Sequence, residues 1–323
     1  MPYRGDVKVK LNNGIEIPIV GTGAFDFPDK YPTTKGWLSS ALKNGYRHID
    51  TARMYGTEKF VGEVIRESGI PREQIFVTTK LSPLDHGRVQ AAFQESLDDL
   101  GLEYVDLYLI HWPQTWASNT DGSGKAAKNP NGSNKTLDTP NFVEAWVEVE
   151  KILASGKTKS IGVSNFSVKT LEVLLKTAKV VPAINQIELH PYLAQNDLRD
   201  YCNRKGIVLT AYTPSGYDKV RNDPLINELA NKYNATANQI TLAWHLSRNT
   251  VIVPKSSDNG RQKENINLPE VSEEDLAKIW HLDRGERQCN KANPTHHTVW
   301  GWTYEQLGWE DYHAPVREET SKL

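Results

Sequence analysis

Tyr46-Arg-His-Ile-Asp50, Ile75-Phe-Val-Thr-Thr-Lys80 and Val105-Asp-Leu-Tyr-Leu-Ile-His111 are three short apolar segments, and each runs out in a polar side chain. The intervals from Asp50 to Lys80 and from Lys80 to His111 are 30 and 31 residues, the length of a strand plus its crossover helix. The stretches between them read as helices. Thr57 is expected to cap residues 58–65, and Gly69-Ile-Pro71 ends that helix. Asp85 opens residues 89–100, apolar at Val89, Ala92, Phe93, Leu97 and Leu100, and Gly101 closes them. Neighbouring parallel strands lie about 4.8 Å apart, so Asp50 and Lys80 are expected near contact, with His111 one strand further along. Tyr55, in a turn with Gly56, joins them.

The same grammar continues down the chain. Residues 161–165, 183–188, 207–212 and 251–255 are four more apolar segments with polar ends. Helical patterns occupy 168–179, 198–205, 225–233 and 236–246. With residues 19–23 as the first strand, eight strands alternate with helices. This predicts an α/β fold of the (β/α)8 TIM-barrel type, whose active sites lie at the carboxyl ends of the strands. A doubly wound open sheet is the competing architecture. Residues 7–17 read as an N-terminal β-hairpin with an Asn-Gly turn, suited to plugging the amino-terminal end of the barrel. A C-terminal tail loop follows the last helix.

Composition bounds the function. A barrel of about 250 residues plus loops and a tail accounts for residues 1–323 as a single domain. With 38 Lys+Arg against 40 Asp+Glu, the near-balanced charge argues against nucleic acid as a main partner. Two cysteines, Cys202 and Cys289, build no disulfide framework and point to a reducing compartment. The start, Met-Pro-Tyr-Arg-Gly-Asp6, has no apolar run, so no signal peptide is expected. Nothing approaches about 18 consecutive apolar residues, so no membrane span is expected. No metal site is expected either: nine histidines are scattered, and His296-His297 has no ligand spacing. Gly21-Thr-Gly23 resembles a truncated dinucleotide fingerprint, but the third glycine and the following helix are missing. Ser164-Asn165 shows no nucleophile elbow.

What the four strand-end groups can do follows from their acidities. A free tyrosine, with a pKa of about 10, is a poor acid at neutral pH. A nearby ammonium lowers that value, and a drop of about 2–3 units corresponds to about 3–4 kcal/mol. Lys80 is therefore expected to acidify Tyr55, and Asp50 to compensate Lys80. His111 is expected to donate a hydrogen bond to a substrate oxygen and orient it. The missing partner is a hydride donor, which no side chain can be, and a nicotinamide cofactor is the natural source.

Asp50-Thr-Ala-Arg-Met-Tyr55-Gly-Thr-Glu58, preceded by Gly45-Tyr-Arg-His-Ile, resembles the first signature of the aldo-keto reductases. Val105-Asp-Leu-Tyr-Leu-Ile-His111-Trp-Pro, Gly162-Val-Ser-Asn165-Phe and Ile252-Val-Pro-Lys255-Ser256 resemble others, in the same order. The tail Trp300-Gly-Trp-Thr-Tyr-Glu-Gln-Leu-Gly-Trp309 is similar to that of fungal members. The resemblance implies NADPH-dependent reduction of aldehydes and ketones on a (β/α)8 barrel. It makes Tyr55 the proton donor, tuned by Lys80 and Asp50, with His111 positioning the carbonyl. It assigns Ser164, Asn165 and Gln186 to the nicotinamide carboxamide, Tyr212 to stacking on its ring, and Gly23 and Asp50 to the ribose side. Lys255, Ser256 and Arg261 then take the adenosine 2′-phosphate, and Glu264 and Asn265 the adenine.

Departures from the family pattern carry information. Asp258 stands where many relatives have a small neutral residue, and a carboxylate beside a phosphate weakens its binding. Residues 212–224 are short where several relatives carry a longer loop over the cofactor, which implies faster cofactor release. The substrate pocket is expected to be lined by Phe25, Trp112, Trp116 and His111, with Trp300 or Trp302. Asp26 and Ser82 near the mouth keep small sugars open as substrates. The Gly/Ser/Asn-rich insertion at 118–135 is expected as a mobile loop over the strand-four exit. A monomer or weak dimer is expected. The terminal Ser321-Lys322-Leu323 matches a peroxisomal import signal, which leaves cytoplasmic and peroxisomal locations open. Two other functions compete: an NADPH-binding regulatory or structural barrel, and a Schiff-base isomerase or aldolase using Lys80.

Overall fold

The computed structural model describes residues 7–310 apart from Gly122, so Ser321-Lys322-Leu323 lies outside the described residues. The chain opens on an antiparallel hairpin, β1 (Lys8–Lys10) and β2 (Glu16–Pro18). A parallel ring follows, made by β3 (Thr22–Gly23), β4 (His48–Asp50), β5 (Phe76–Leu81) and β6 (Val105–Ile110). After a short antiparallel pair, β7 (Thr115–Trp116) and β8 (Thr136–Leu137), the ring continues through β9 (Thr158–Ser164) and β10 (Ile184–Glu188). It ends with β11 (Val208–Tyr212) and β12 (Val251–Ile252). These eight parallel strands neighbour one another in sequence order. A parallel bridge between Val20 and Ile252 joins the last strand to the first. This is the (β/α)8 barrel, and the open-sheet alternative is set aside.

Helices α1 (Tyr31–Lys43), α2 (Glu58–Glu67), α3 (Val89–Leu100) and α4 (Phe142–Ala154) cover the first half of the ring. The second half carries α5 (Val168–Leu175), α6 (Asn196–Arg204), α7 (Tyr217–Arg221), α8 (Pro224–Lys232) and α9 (Ala237–Ser247). Helices α10 (Asn259–Ile266), α11 (Glu273–Trp280) and α12 (Tyr304–Leu307) complete the set. The strands are buried on both faces, as a helix-covered parallel sheet requires, which is why they read as continuous apolar runs. In α3 the buried set Val89, Ala92, Phe93, Leu97 and Leu100 follows the 3.6-residue period, and Gly101 ends the helix at φ 61°.

Local signals misled at helix ends. Thr57 does not cap α2, because it sits in helical backbone and shares a hydrogen bond with the Thr51 hydroxyl at 3.0 Å. Helix α5 stops at Leu175, short of residue 179, because the backbone N–H groups of Lys179 and Val180 donate to Glu150 Oε1. The insertion 118–135 carries antiparallel bridges Ser118–Ala126 and Lys128–Asn134 and adjoins the β7–β8 pair. The N-terminal hairpin sits where expected: Asn13 Nδ2 donates to Ser160 Oγ and Asn12 Nδ2 to Pro182 O, at the amino-terminal ends of β9 and β10. Among the described residues, no helix is long and apolar enough to cross a membrane.

Candidate active site

Because every strand leaves the ring at the same rim, polar residues ending successive strands converge. Asp50 is the last residue of β4 and Lys80 the penultimate residue of β5, while His111 follows β6 directly. Lys80 is fully buried; its Nζ donates to Asp50 Oδ1 at 2.7 Å and to Thr51 O at 2.8 Å. Gln186 Nε2 donates to the other Asp50 oxygen at 2.6 Å, so the carboxylate is held from two sides. Tyr55 ends a short turn closed by Gly56 in left-handed backbone, and its carbonyl accepts from Tyr31 Oη at 2.7 Å. A Cβ on Gly56 would come within 2.5 Å of that hydroxyl, so glycine is required there. The Tyr55 ring stands edge-on to His111 and Phe25, at centroid distances of 5.5 and 5.2 Å, with Lys80 Nζ 5.0 Å from its centre.

The electrostatics correct one expectation. Burial pushes the Tyr55 phenol above its ordinary value of 10, Lys80 pulls against this, and Asp50 adds to it. The lysine does not win because burial outweighs it, and Asp50 at contact distance from the ammonium offsets its pull further. For Lys80 itself, burial alone would lower the pKa; the Asp50 carboxylate and the Tyr55 phenol reverse that and raise it. Burial, aided by the Lys80 charge, holds His111 well below 6.5. The imidazole is therefore neutral at physiological pH and keeps one N–H to give.

On the far half of the rim, side chains of β9, β10 and β11 form a linked set. Ser164 Oγ donates to Gln186 O at 2.8 Å, and Asn165 Nδ2 to His111 O at 2.9 Å. Tyr212 Oη donates to Asn165 Oδ1 at 2.7 Å. Asn165 holds φ 65°, a conformation asparagine tolerates better than most residues. Across the seam between β3 and β12, a Cβ on Gly23 would lie 3.0 Å from Val253 O and 3.7 Å from Lys255 Cβ. Bare backbone, amide donors and acceptors, a tyrosine ring and cations near one rim fit a nicotinamide dinucleotide in chemistry. Ser256 Oγ accepts from Asp258 N, Arg261 is exposed, and Asn265 Oδ1 accepts from Asn238 Nδ2, while Glu264 is half-buried on α10.

The side chains expected on the substrate side differ in their surroundings. Phe25 is exposed beside Tyr55. Trp116 is buried against Trp300 and donates its Nε1–H to Trp300 O at 2.9 Å. Trp112 is packed with Val299, Leu307 and Trp309. Asp26 is buried and accepts from Thr34 Oγ1 and Trp37 Nε1, with Lys255 Nζ at 3.4 Å. A groove of about 1110 Å³ is lined by Met54, Ser82, Trp116, Asn119, Lys125 and Trp300 among others, and none of Asp50, Tyr55, Lys80 or His111 lies in its wall. It is bounded by Met54 and Gly56 rather than by Tyr55 itself.

Glu188, which ends β10, was not singled out for a role by the sequence. Fully buried, it accepts from Gln288 N at 2.5 Å, Cys289 N at 3.0 Å and His190 Nε2 at 3.1 Å, and so fastens the C-terminal segment to the rim. Its position followed the same strand-end rule as Asp50 and Lys80.

Comparison with known proteins agrees with this arrangement. The profile of the Aldo/keto reductase family matches residues 19–284. Glycerol 2-dehydrogenase (NADP(+)) of Saccharomyces cerevisiae is 39% identical over 297 residues, covering 88% of this chain and 94% of the relative. Glyoxal reductase of Bacillus subtilis is 41% identical, covering 89% and 96%, and aldose reductase B of Dictyostelium discoideum is 43% identical, covering 88% and 95%. With the barrel, the strand-end groups and these full-length similarities in agreement, the chain belongs to the aldo/keto reductase family.

Proposed function

We propose that this chain reduces aldehydes and ketones to alcohols with NADPH. The observation that carries the reading is the buried Lys80–Asp50 pair set beneath the Tyr55 ring and beside a neutral His111. When bound, the nicotinamide supplies the hydride. Tyr55, kept protonated by burial, gives its proton to the carbonyl oxygen. The Lys80 ammonium stabilises the phenolate that remains, and Asp50, itself held by Gln186, keeps that ammonium in place. His111 donates its N–H to the carbonyl oxygen and orients it.

Ser164, Asn165 and Gln186 hold the carboxamide and Tyr212 stacks on the ring. Gly23 lets the ribose approach the backbone beside Asp50. Lys255, Ser256 and Arg261 take the 2′-phosphate, and Glu264 and Asn265 the adenine. Phe25, Trp112 and Trp116 take the rest of the substrate, beside His111. Relatives named as glyoxal and aldose reductases favour small polar aldehydes.

The test is NADPH oxidation with aromatic, aliphatic and sugar aldehydes, run alongside Tyr55→Phe. Loss of a positioned acid should lower kcat by about 10²–10⁴-fold while NADPH still quenches the protein fluorescence. Full turnover in the variant would sink the assignment. No turnover by the native chain despite tight NADPH binding would favour a regulatory barrel.

A further inference from the structure

We propose that Asp26 and Asp258 set how strongly this chain distinguishes NADPH from NADH, each carboxylate neutralising one cation of the cluster that takes the 2′-phosphate. The proposal rests on the cofactor assignment above. Lys255 Nζ lies 3.4 Å from Asp26 Oδ1, and Arg261 Nε lies 4.0 Å from Asp258 Oδ1. Gln262 Nε2 donates to both Ser256 O and Trp37 O at 2.9 Å, which ties α10, the Lys255 segment and α1 into one patch.

The two carboxylates are built in differently. Asp26 is buried, and its second oxygen accepts from Thr34 Oγ1 at 2.9 Å and Trp37 Nε1 at 3.1 Å. With Phe27 N also donating to it, this carboxylate is fixed, and the lysine is the partner able to swing. Asp258 caps α10, accepting from Arg261 N at 2.8 Å. The helix terminus that would otherwise welcome a phosphate therefore already holds an anion.

Two cations and two carboxylates sum to no net charge at this patch. A 2′-phosphate must then share Lys255 with Asp26 and approach past Asp258, so it adds little affinity. A dinucleotide without that phosphate loses correspondingly little. The native chain is expected to bind NADPH no more than about tenfold more tightly than NADH, against the much larger ratio an uncompensated pair of cations would give.

Calorimetry with NADPH, NADH and 2′,5′-ADP on the native chain, Asp26→Asn and Asp258→Ser tests this. Asparagine keeps an oxygen for Thr34 and Trp37, and serine keeps the helix cap. Each variant should tighten NADPH and 2′,5′-ADP about three- to tenfold, with NADH changed less than about twofold. Asp258 lies at the surface, so its variant carries the test even if Asp26→Asn perturbs folding. An unchanged NADPH-to-NADH ratio in both variants, with both dinucleotides bound, overturns the proposal while leaving the cofactor assignment standing. Failure of the native chain to bind any of the three probes would overturn the cofactor assignment, and this proposal with it.

Discussion

Lys80 is fully enclosed, and its ammonium is matched by Asp50 at 2.7 Å and by a backbone carbonyl. Removing one member of such a pair strands the other charge. Lys80→Met is expected to destabilise the fold by about 3–5 kcal/mol in urea denaturation. Adding Asp50→Asn should recover most of that loss, since the charge needing a partner is gone; a double variant as unstable as the sum of the single ones would contradict this. Both variants should lack turnover, which separates stability from chemistry. At this scale the sequence exposed the identity of the groups, because each ends a strand. The acidity of Tyr55 was not legible, since burial, a property of the assembled rim, outweighs the lysine named from spacing.

Helices α2 and α3 pack so closely that Gly62 touches the end of its neighbour: a Cβ there would lie 1.8 Å from Leu100 O. Intrinsic propensity favours alanine in a helix by about 1 kcal/mol, but the clash with backbone should prevail. Gly62→Ala is expected to lower stability by about 2–3 kcal/mol, read as a fall in the urea midpoint; a variant as stable as the parent would show that α2 moves freely against α3. The apolar runs and the 3.6-residue period placed the strands and α3 well, because they report burial directly. Caps and ends were less legible. Thr57 reads as a cap, yet its hydroxyl is engaged by Thr51, and α5 ends where Glu150, from another helix, captures the next backbone donors.

The whole barrel carries histidines buried as neutral rings, with consequences for acid stability. Burial lowers His48 to about 4, and His86 and His245 to about 3, from an ordinary 6.5. Unfolding lets these rings take protons, so the stability they contribute is full above pH 6.5 and is lost as pH falls toward 4 and then 3. By about pH 5 each accounts for about 2 kcal/mol. Buried Glu58, raised to about 7, acts in the opposite sense, holding a proton that favours the fold as pH falls from 7 toward 4.5. Three against one leaves a net loss of about 4 kcal/mol between about pH 6.5 and 5, with His111 adding to it. Urea midpoints at the two pH values check this, and a flat profile would refute it. The alternation of strand and helix, the polar strand ends and the family signatures were all written in the chain itself, because local periodicity and spacing encode them. The Asp50–Lys80 contact between adjacent strands followed from spacing, but which side chains meet across the barrel was decided only by closure of the ring. Gln186 reaches Asp50 across 136 residues and Lys255 reaches Asp26 across 229, while Trp112 lies beneath Trp309. No local pattern specifies such partners, because they become neighbours only when the last strand docks beside the first.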